Sequence, residues 1–538
     1  MTTAALPTPA LSLPRHAARP WLIAVAVVIP TFMEVLDTTI ANVALRYIAG
    51  GLSAAATDSE WIITSYLAAN ALVLPISGWL AIRLGRRNYF LASIAVFTLA
   101  SALCGMATSL GALIAFRVLQ GLAGGGLQPS SQGVLLDAFP PEKQGAAQAL
   151  FGVAALLAPV VGPTLGGYIT DNYGWRWIFY LNVPVGAFAL AMCASLVRDP
   201  GYLREQRDAA LRGSHRFDSP ALGLLCAAAV SWEVLLSKGQ EWDWFGDPFW
   251  RIQTLAAVFA FSLVALVWHE LRTPDPLINF RTLLDRNFRS ACVIIFCAFA
   301  ALYANTVSLP GLLQSLFGYD ATTSGLVLSP AGLGAVILLP VVGALLGRGV
   351  DARYIIAVGL VVLAAGNWWF ARLNLGVGPW QFVWPRVVVI AGLSMLFAPL
   401  NVAAFQHVPR ELRGAAVGLL ALLRNEGGSV GTSLAQTILQ RREQFHTLRL
   451  NEGLSALNPS VGPFLDAAHA LFLRHTGDAP RSREMALQAL EHVRRQQALS
   501  LSYFDVFWVS AVVAAALVLL VPLMRRAVAE KGAHLAAE

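Results

Sequence analysis

Glu34 and Asp37 lie in the middle of an apolar stretch, residues 21–45. A membrane helix needs about 20 apolar residues, and a carboxylate at bilayer depth costs roughly 2.5–3.5 kcal/mol on insertion scales. Residues three apart share a helix face, so this face must meet protein, water or a cation. Because burial disfavours the charged carboxylate and a nearby cation favours it, the pair can bind and release protons. We predict that Asp37 and Glu34 couple protons to a change of shape; the alternative is a permanent structural ion pair.

Arg117 is the cation expected to act on these carboxylates. It begins the run RVLQGLAGGG in another apolar segment, and Gln120 follows one turn later. An arginine within a membrane span requires a partner, and the small residues after it let helices approach closely. We predict that Arg117 sets how readily Asp37 and Glu34 take up protons; the alternative is a purely structural pair.

Arg424 and Glu426 form a second charged group, late in the chain. Residues two positions apart on a helix point in different directions, so these two are not expected to pair with each other. Arg424 is interpreted as cavity-lining or structural and Glu426 as a second acidic site, whereas Glu233 is expected to neutralise a charge locally. The other side chains predicted to line a central substrate cavity are Asn42, Gln120, Phe299, Tyr303, Trp368 and Trp369.

Two segments are interpreted as the parts that let the helices move or lock. Proline removes a backbone hydrogen bond and bends a helix, and glycine allows close packing. The first segment is a tight basic turn, either a latch or a topological anchor, and the second is a bendable seam between bundles. The turn consists of Gly78, Arg83, Gly85, Arg86 and Arg87, and the seam contains Pro159, Gly162, Pro163, Gly166 and Gly167.

These residues require a polytopic membrane scaffold to hold them. Of 538 residues, 57% are hydrophobic and 13% charged, and the mean hydropathy is +0.61, whereas soluble domains carry about 25% charged residues. The apolar runs predict an all-α membrane protein with fourteen transmembrane helices. They cover approximately residues 21–45, 59–82, 89–108, 112–136, 145–170, 177–197, 220–238, 250–270, 288–317, 321–347, 353–372, 383–407, 412–440 and 504–524.

The distribution of basic residues predicts that both termini are cytoplasmic. With this orientation, the short inner segments are rich in arginine, and the short outer loops contain little of it, as the positive-inside rule requires. This bias accounts for the net charge of +7 without nucleic acid as a partner. The long segment 441–503 falls outside, and its part 481–500 is predicted to be helical within a small extracytoplasmic subdomain.

Sequence patterns for covalent or metal chemistry are missing. Neither GxxxxGK[ST] nor HExxH occurs, and the nine histidines do not cluster at metal-ligand spacing, which excludes a P-loop ATPase and a zincin. The five cysteines lie in apolar runs without a CxxC pair, so we interpret them as small buried hydrophobic residues. We expect no enzyme activity, cofactor, metal or disulfide.

A weak internal repeat relates the two halves of the chain. Gly78 and Arg83 end the second predicted span, and Gly343 and Arg348 repeat their spacing at the end of a later span. Repeated halves are common in secondary transporters, so the pattern favours a chain built from two related bundles.

Four segments resemble signature motifs of the major facilitator superfamily. They are LDTTIANVAL (36–45), GWLAIRLGRR (78–87), RVLQG (117–121) and PVVGPTLGGYITDNYGWRWIFYLNVPVG (159–186). The chain is similar over nearly its whole length to the fourteen-helix drug:proton antiporters of the EmrB/QacA type, and particularly to their EmrB branch. Two positions depart from the family pattern: Ile82 stands where the basic turn usually has an acid, and Glu34 is an acid additional to Asp37.

The resemblance implies the major facilitator fold, with two six-helix bundles and two inserted helices. The expected parts are a cytoplasmic tail 1–20, a first bundle 21–197, a linker with the inserted helices 198–287, a second bundle 288–524 that includes 441–503, and a tail 525–538. It also implies a bacterial inner-membrane location and assembly with a periplasmic adaptor (membrane fusion protein) and an outer-membrane channel of the TolC type.

The function expected from these features is proton-coupled export of small hydrophobic or amphipathic drugs or toxic compounds. Asp37, Glu34 and Arg117 would handle the protons. The alternative is an exporter dedicated to a single metabolite, lipid or siderophore.

Overall fold

A computed structural model describes residues 20–212, 218–273, 276–409, 412–454 and 458–528, and every regular element in these residues is a helix. Nearly all of the predicted tails, 1–19 and 529–538, lies outside this part. Thirteen of the described helices are long and apolar enough to cross a membrane. We number them as spans 1–12 and span 14: Pro20–Leu45, Trp61–Leu84, Arg86–Met106, Leu110–Ala138, Lys143–Tyr173, Trp177–Leu196, Ser219–Lys238, Arg251–Arg272, Arg286–Leu316, Thr322–Gly347, Ala352–Ala371, Trp380–Phe405 and Ala479–Leu523.

The thirteenth predicted span, 412–440, corresponds to the first part of the helix Arg413–Gly453, which we call span 13. Composition alone does not identify it as a membrane span, since Arg424, Asn425 and Glu426 interrupt its apolar residues. Its packing does, because it lies against spans 2, 9 and 14. The polar middle of span 13 therefore lies among more apolar spans, which fits the predicted count of fourteen.

Apolar side chains occupy both the interior and the outer surface. Phe97, Phe151 and Phe397 belong to one buried cluster that joins the first six spans to the last six. Leu99 and Phe261 are among the large apolar side chains that remain exposed. An exposed apolar surface of this extent is expected where helices face lipid rather than water.

The repeated glycines lie at close contacts between the two halves. A Cβ atom added at Gly78 of span 2 would be 2.7 Å from the carbonyl carbon of Gly414 in span 13. A Cβ atom added at Gly343 of span 10 would be 3.0 Å from Cα of Ala146 in span 5. The sequence repeat thus marks two equivalent backbone contacts between the first six and the last six spans, and each needs a residue without a side chain.

Spans 7 and 8, the inserted helices, pack against each other, and span 7 touches both halves. The hydroxyl groups of Thr64 in span 2 and Ser237 in span 7 are 2.6 Å apart. On the other side, the Ser433 hydroxyl of span 13 donates to the Leu236 carbonyl at 2.8 Å. Span 7 therefore fills the space between spans 2 and 13, whereas the division into domains at 198–287 stays a prediction.

The segment 441–503, predicted to form a small subdomain with a helix, is largely helical. Span 13 continues as a helix to Gly453, a separate helix covers Val461–Thr476, and the last helix, Ala479–Leu517, begins well before the membrane segment. The prediction of a helix over 481–500 is confirmed. Spans 13 and 14 continue as helices into this segment because no glycine or proline interrupts 441–452 or 481–517.

Candidate functional site

Asp37 lies in a closed group of polar side chains within the first six spans. Its Oδ2 atom is 2.5 Å from Nη1 of Arg117 in span 4, and both side chains are almost fully buried. Its Oδ1 atom accepts hydrogen bonds from Gln120 at 3.0 Å and from Asn182 of span 6 at 2.6 Å. The expected contact between Arg117 and Asp37 is present, and it joins spans 1, 4 and 6.

Arg117 has several contacts in addition to its ion pair with Asp37. Its Nε atom donates to the Ile62 carbonyl at 3.2 Å, and Nη1 also donates to the Gln120 side chain at 2.8 Å. The guanidinium carbon lies 4.2 Å from the centre of the Tyr66 ring. The Nη2 atom has no hydrogen-bond partner. The arginine can therefore remain in place when Asp37 is neutralised, because backbone, amide and aromatic contacts persist.

Glu34 bonds to a different set of donors. It accepts hydrogen bonds from Tyr66 at 3.3 Å and Asn70 at 3.1 Å, both on span 2, and from Gln128 of span 4 at 2.5 Å. These three donors are neutral, and Glu34 makes no direct ion pair with any of the described residues. The two acids of span 1 thus lie in separate groups, with Tyr66 between them.

Arg424 lies on the opposite side of the interface, in span 13. Its Nη2 atom donates a short hydrogen bond to Oε1 of Gln128, the same side chain whose Nε2 atom donates to Glu34. Three phenylalanine rings surround it, with centres 5.5–5.8 Å from its guanidinium carbon: Phe151, Phe299 and Phe397. One amide therefore connects an acid of the first half to a cation of the second.

Glu426 does not join this group, which agrees with the expectation that it points away from Arg424. Its Oε2 atom accepts a hydrogen bond from the Trp232 indole of span 7 at 2.7 Å, and it hydrogen-bonds to Glu233. Ser429 donates to Glu233 at 3.1 Å. The interpretation of Glu233 as a local neutraliser was wrong, since its partner among the described residues is a second acid.

The remaining predicted cavity residues lie in several different places. Asn42 is exposed and donates to the Thr38 carbonyl of its own helix at 3.1 Å, and Tyr303 packs against Gly428. Trp368 and Trp369 are 53% and 44% exposed. Their assignment to a cavity was wrong, because both lie on the outer surface, where tryptophan is favoured near a membrane interface.

The basic turn between spans 2 and 3 is held to spans 4 and 6. Gly85 has a φ of +83°, which favours glycine. The Arg86 guanidinium pairs with Asp137, and the Arg87 backbone N–H donates to Asp199 at 2.8 Å. With Ile82 in the usual acidic position, Asp137 and Asp199 supply the carboxylates. The ring of Trp79, 4.9 Å away, covers the Arg83 guanidinium.

The glycine and proline seam contacts span 1 more closely than it contacts the other half. Cβ atoms added at Gly162 and Gly166 would meet Thr39 and Ile40 of span 1. Within the same segment, Thr164 contacts span 10 by packing against Gly325. The two glycines thus pack inside the first six spans, and the role of the segment as a bendable seam between bundles stays a prediction. Pro159 and Pro163 lie inside the helix, and Gly167 is buried.

Sequence reasoning missed four neutral side chains of the site: Tyr66, Asn70, Gln128 and Asn182. Each is a polar residue inside an apolar run, a pattern that indicates a hydrogen-bond partner in a membrane protein. The partner could not be identified from sequence alone, because each donates to an acid on another helix.

Comparison with known proteins agrees with this architecture. The Major Facilitator Superfamily model matches residues 27–432. Multidrug export protein EmrB of Escherichia coli (strain K12) is 35% identical over 499 residues, covering 93% of this chain and 94% of that protein. Fatty acid resistance protein FarB of Neisseria gonorrhoeae is 34% identical over 451 residues, covering 83% and 86%.

Two solved structures share the fold at low sequence identity. The proton:xylose symporter XylE aligns with a TM-score of 0.61 and 11% identity, over 95% of this chain and 97% of that one. The human organic anion transporter MFSD10 (TETRAN) aligns with a TM-score of 0.56 and 14% identity, over 92% and 99%. The chain is thus a multi-pass membrane protein and a transporter that belongs to the major facilitator superfamily, in its EmrB-type family.

Proposed function

We propose that this transporter is a proton-coupled antiporter that exports hydrophobic or amphipathic drugs or toxic compounds across the bacterial inner membrane. The observation that carries the proposal is the buried group around Asp37. An acid whose counter-ion, Arg117, has other contacts can be neutralised without leaving the cation unsupported. Removing one partner of a buried ion pair is usually costly, because the other charge is left without compensation.

Proton binding at Asp37 would act directly on helix packing. The ionised carboxylate joins span 1 to span 4 through Arg117 and Gln120, and to span 6 through Asn182. A protonated carboxyl group loses the ion pair, so these three helices can shift against one another. The shift would reach the other half where Gly78 meets Gly414, at the contact between spans 2 and 13.

The substrate class follows from the relatives and from the apolar lining. EmrB is named for multidrug export and FarB for fatty acid resistance. The rings of Phe151, Phe299 and Phe397 meet between the two halves. Apolar walls with a few polar groups suit hydrophobic or amphipathic compounds. An exporter dedicated to a single metabolite, lipid or siderophore is the alternative, and stimulation of transport by one compound only would favour it.

The helices that extend beyond spans 13 and 14 support a partner on the outer side. They expose large apolar side chains, including Leu448, Leu471 and Leu487, on a surface that also carries many charges. We propose that this extension faces the periplasm, that both termini are cytoplasmic, and that the protein works with a periplasmic adaptor and an outer-membrane channel. The division into two six-helix bundles around 198–287 belongs to the same proposal.

The decisive experiment measures drug efflux and drug-induced proton movement with purified protein in liposomes. Wild type is compared with Asp37→Asn and with Glu34→Gln, which neutralises the neighbouring acid. We expect Asp37→Asn to abolish both signals in a folded protein. If Asp37→Asn still pumps a drug against its gradient, the coupling site is elsewhere, and the proposal is wrong.

A further inference from the structure

Arg424 is a buried cation, and the Gln128 amide lies between it and the buried acid Glu34. The residue is only 3% exposed, and its guanidinium makes no ion pair with any of the described residues. The Nη2 atom donates to a neutral amide, and Nη1 has no hydrogen-bond partner. An unsatisfied buried charge is costly, and charged side chains within a membrane commonly mark a substrate pathway. The guanidinium therefore has an open donor that a ligand can complete.

The surroundings of Arg424 define the shape and charge of that ligand. Phe151 comes from span 5, Phe299 from span 9 and Phe397 from span 12, so rings from both halves enclose the guanidinium. Aromatic faces stabilise a cation when nothing else is bound. When a ligand is bound, the same rings can pack against an apolar body. An organic anion with an apolar body matches the charge and the apolar character of these surroundings, whereas an organic cation would be repelled by Arg424.

Gln128 occupies the place that an anionic group would take. Its Oε1 atom accepts the hydrogen bond from Arg424, and its Nε2 atom donates to Glu34 at 2.5 Å. A carboxylate presents two oxygen atoms to the paired N–H groups of a guanidinium, while an amide presents one. Replacing Gln128 by a carboxylate would satisfy both Nη1 and Nη2 of Arg424.

We propose that Arg424 anchors the carboxylate or similar anionic group of the exported compound, and that this group displaces the Gln128 amide. The inference rests on the proposed export function and names the class of substrate: amphipathic organic anions. Glu34 acts against this binding, because its negative charge lies beyond the same amide and repels a second anion. Gln128 and Glu34 thus lower the affinity of the site for an organic anion, and Arg424 makes the site prefer anions to cations.

The test compares three ligands of one shape and different charge: naphthoate, naphthamide and naphthylmethylammonium. Binding to purified protein in lipid nanodiscs is measured by calorimetry, without a proton gradient. We expect wild type to prefer naphthoate, and Arg424→Gln to weaken naphthoate by at least about tenfold while changing naphthamide by less than about threefold, since only the anion loses a charge-assisted pair. Gln128→Glu places a carboxylate at the anchor and should cause the same selective loss.

Two further variants give the opposite result and do not depend on loss of function. Gln128→Ala vacates the anchor and Glu34→Gln removes the opposing charge, so both should raise naphthoate affinity by roughly threefold to tenfold and leave naphthamide unchanged. The matched control is Arg386→Gln. Arg386 is also buried, and it donates to the Thr306 hydroxyl at 3.5 Å, so its loss should not change the preference for the anion.

Several results would overturn the inference. One such result is that wild type binds none of the three ligands, or prefers the amide or the ammonium compound. Arg424→Gln could instead weaken all three equally, or Arg386→Gln could produce the same selective loss. Because binding is measured without a gradient, these results leave proton-coupled pumping by wild type in liposomes as a separate question. Pumping of a neutral drug with no preference for anions would retain the proposed function and reject Arg424 as an anchor.

Discussion

Glu34 and Asp37 are one turn apart on span 1, yet they bond to different sets of donors. Asp37 pairs with Arg117 at 2.5 Å within the first six spans. Glu34 accepts a hydrogen bond from Gln128, which in turn accepts one from Arg424 of the second half. The first acid is therefore placed to act on packing within one half, and the second to respond to what lies between the halves.

The Asp37–Arg117 pair predicts a difference between stability and transport. Arg117→Gln should destabilise the protein by roughly 3–5 kcal/mol, because it leaves a buried carboxylate without its cation. The double variant Asp37→Asn with Arg117→Gln should recover most of that loss, since two neutral amides can hydrogen-bond in place of the pair. Thermal unfolding in detergent measures the stability.

Transport should not recover in the double variant, because no group at this site then binds and releases a proton. Proton movement in liposomes is the measurement, and Glu426→Gln is the control, because it leaves the Asp37–Arg117 pair intact. Restored coupling in the double variant would show that the ion pair is structural only.

The repeated glycines predict two equivalent sites at which a methyl group blocks the closed contact between halves. Gly78→Ala would bring Cβ within 2.7 Å of the Gly414 backbone, and Gly343→Ala within 3.0 Å of Ala146. Overpacking of this kind costs roughly 1–3 kcal/mol, so each variant should shift the protein away from this closed arrangement. Distances between spin labels on spans 2 and 13, and on spans 5 and 10, measure the shift.

Gly223→Ala is the matched control for these glycines. Nothing lies within 4 Å of a Cβ atom added there, and the residue is inside the helix of span 7. This variant should be neutral or stabilising by roughly 0.5–1 kcal/mol, because alanine favours helix more than glycine does. Equal label distances in all three variants would contradict the role assigned to the repeat.

Much of this architecture could be predicted from sequence, because the membrane imposes strong rules. Thirteen of the fourteen spans follow from apolar length alone, and an arginine inside a span needs a polar partner, which Arg117 finds in Asp37. Span 13 shows the limit of this reasoning. Its polar middle, with Arg424 and Glu426, lowers its hydropathy, and only packing against its neighbours shows that it belongs with the others.

The parts that could not be predicted depend on direction around a helix axis. Trp368 and Trp369 face outward and Phe299 faces inward, although all three lie in apolar runs without a clear polar face. Likewise, the role of Gln128 depends on two helices from different halves meeting at its two amide atoms. Such contacts join residues far apart in sequence, and no local pattern contains them.

The loop between spans 7 and 8 is expected to keep its structure when the pH falls. The Arg251 guanidinium holds the pKa of Asp247 well below its ordinary value. A carboxylate with a lowered pKa contributes stability above its unfolded pKa and loses it only as the pH falls through the lower, folded value. Tryptophan fluorescence from this loop should therefore be unchanged between about pH 5 and pH 8.

Asp247→Asn should loosen the same loop at every pH, because the bond to the Arg251 side chain is weakened. Asp243→Asn is the neighbouring control, since Asp243 pairs with Arg441 of span 13 instead. A marked fluorescence change between pH 8 and pH 5 in wild type would contradict the lowered pKa.

Glu233 and Glu426 predict that a buried acid in this transporter can be structural. Two carboxyl groups hydrogen-bond to each other only when one of them holds a proton, and an amide can supply the same donor. Glu426→Gln should therefore keep the contact between spans 7 and 13 and retain wild-type stability. Trp232→Phe should preserve the stacking on Phe259 at 4.5 Å but cost roughly 0.5–1.5 kcal/mol, because Glu426 loses the indole donor.

The proton stoichiometry then distinguishes this pair from Asp37. Glu426 contacts span 7 and does not contact Arg424 or Glu34 among the described residues, so a proton on it has no direct route to the packing of span 1. We expect Glu426→Gln to release as many protons per exported drug molecule in liposomes as wild type does, whereas Asp37→Asn releases none. A lower ratio in Glu426→Gln, at equal protein stability, would make the inserted helices part of the coupling path.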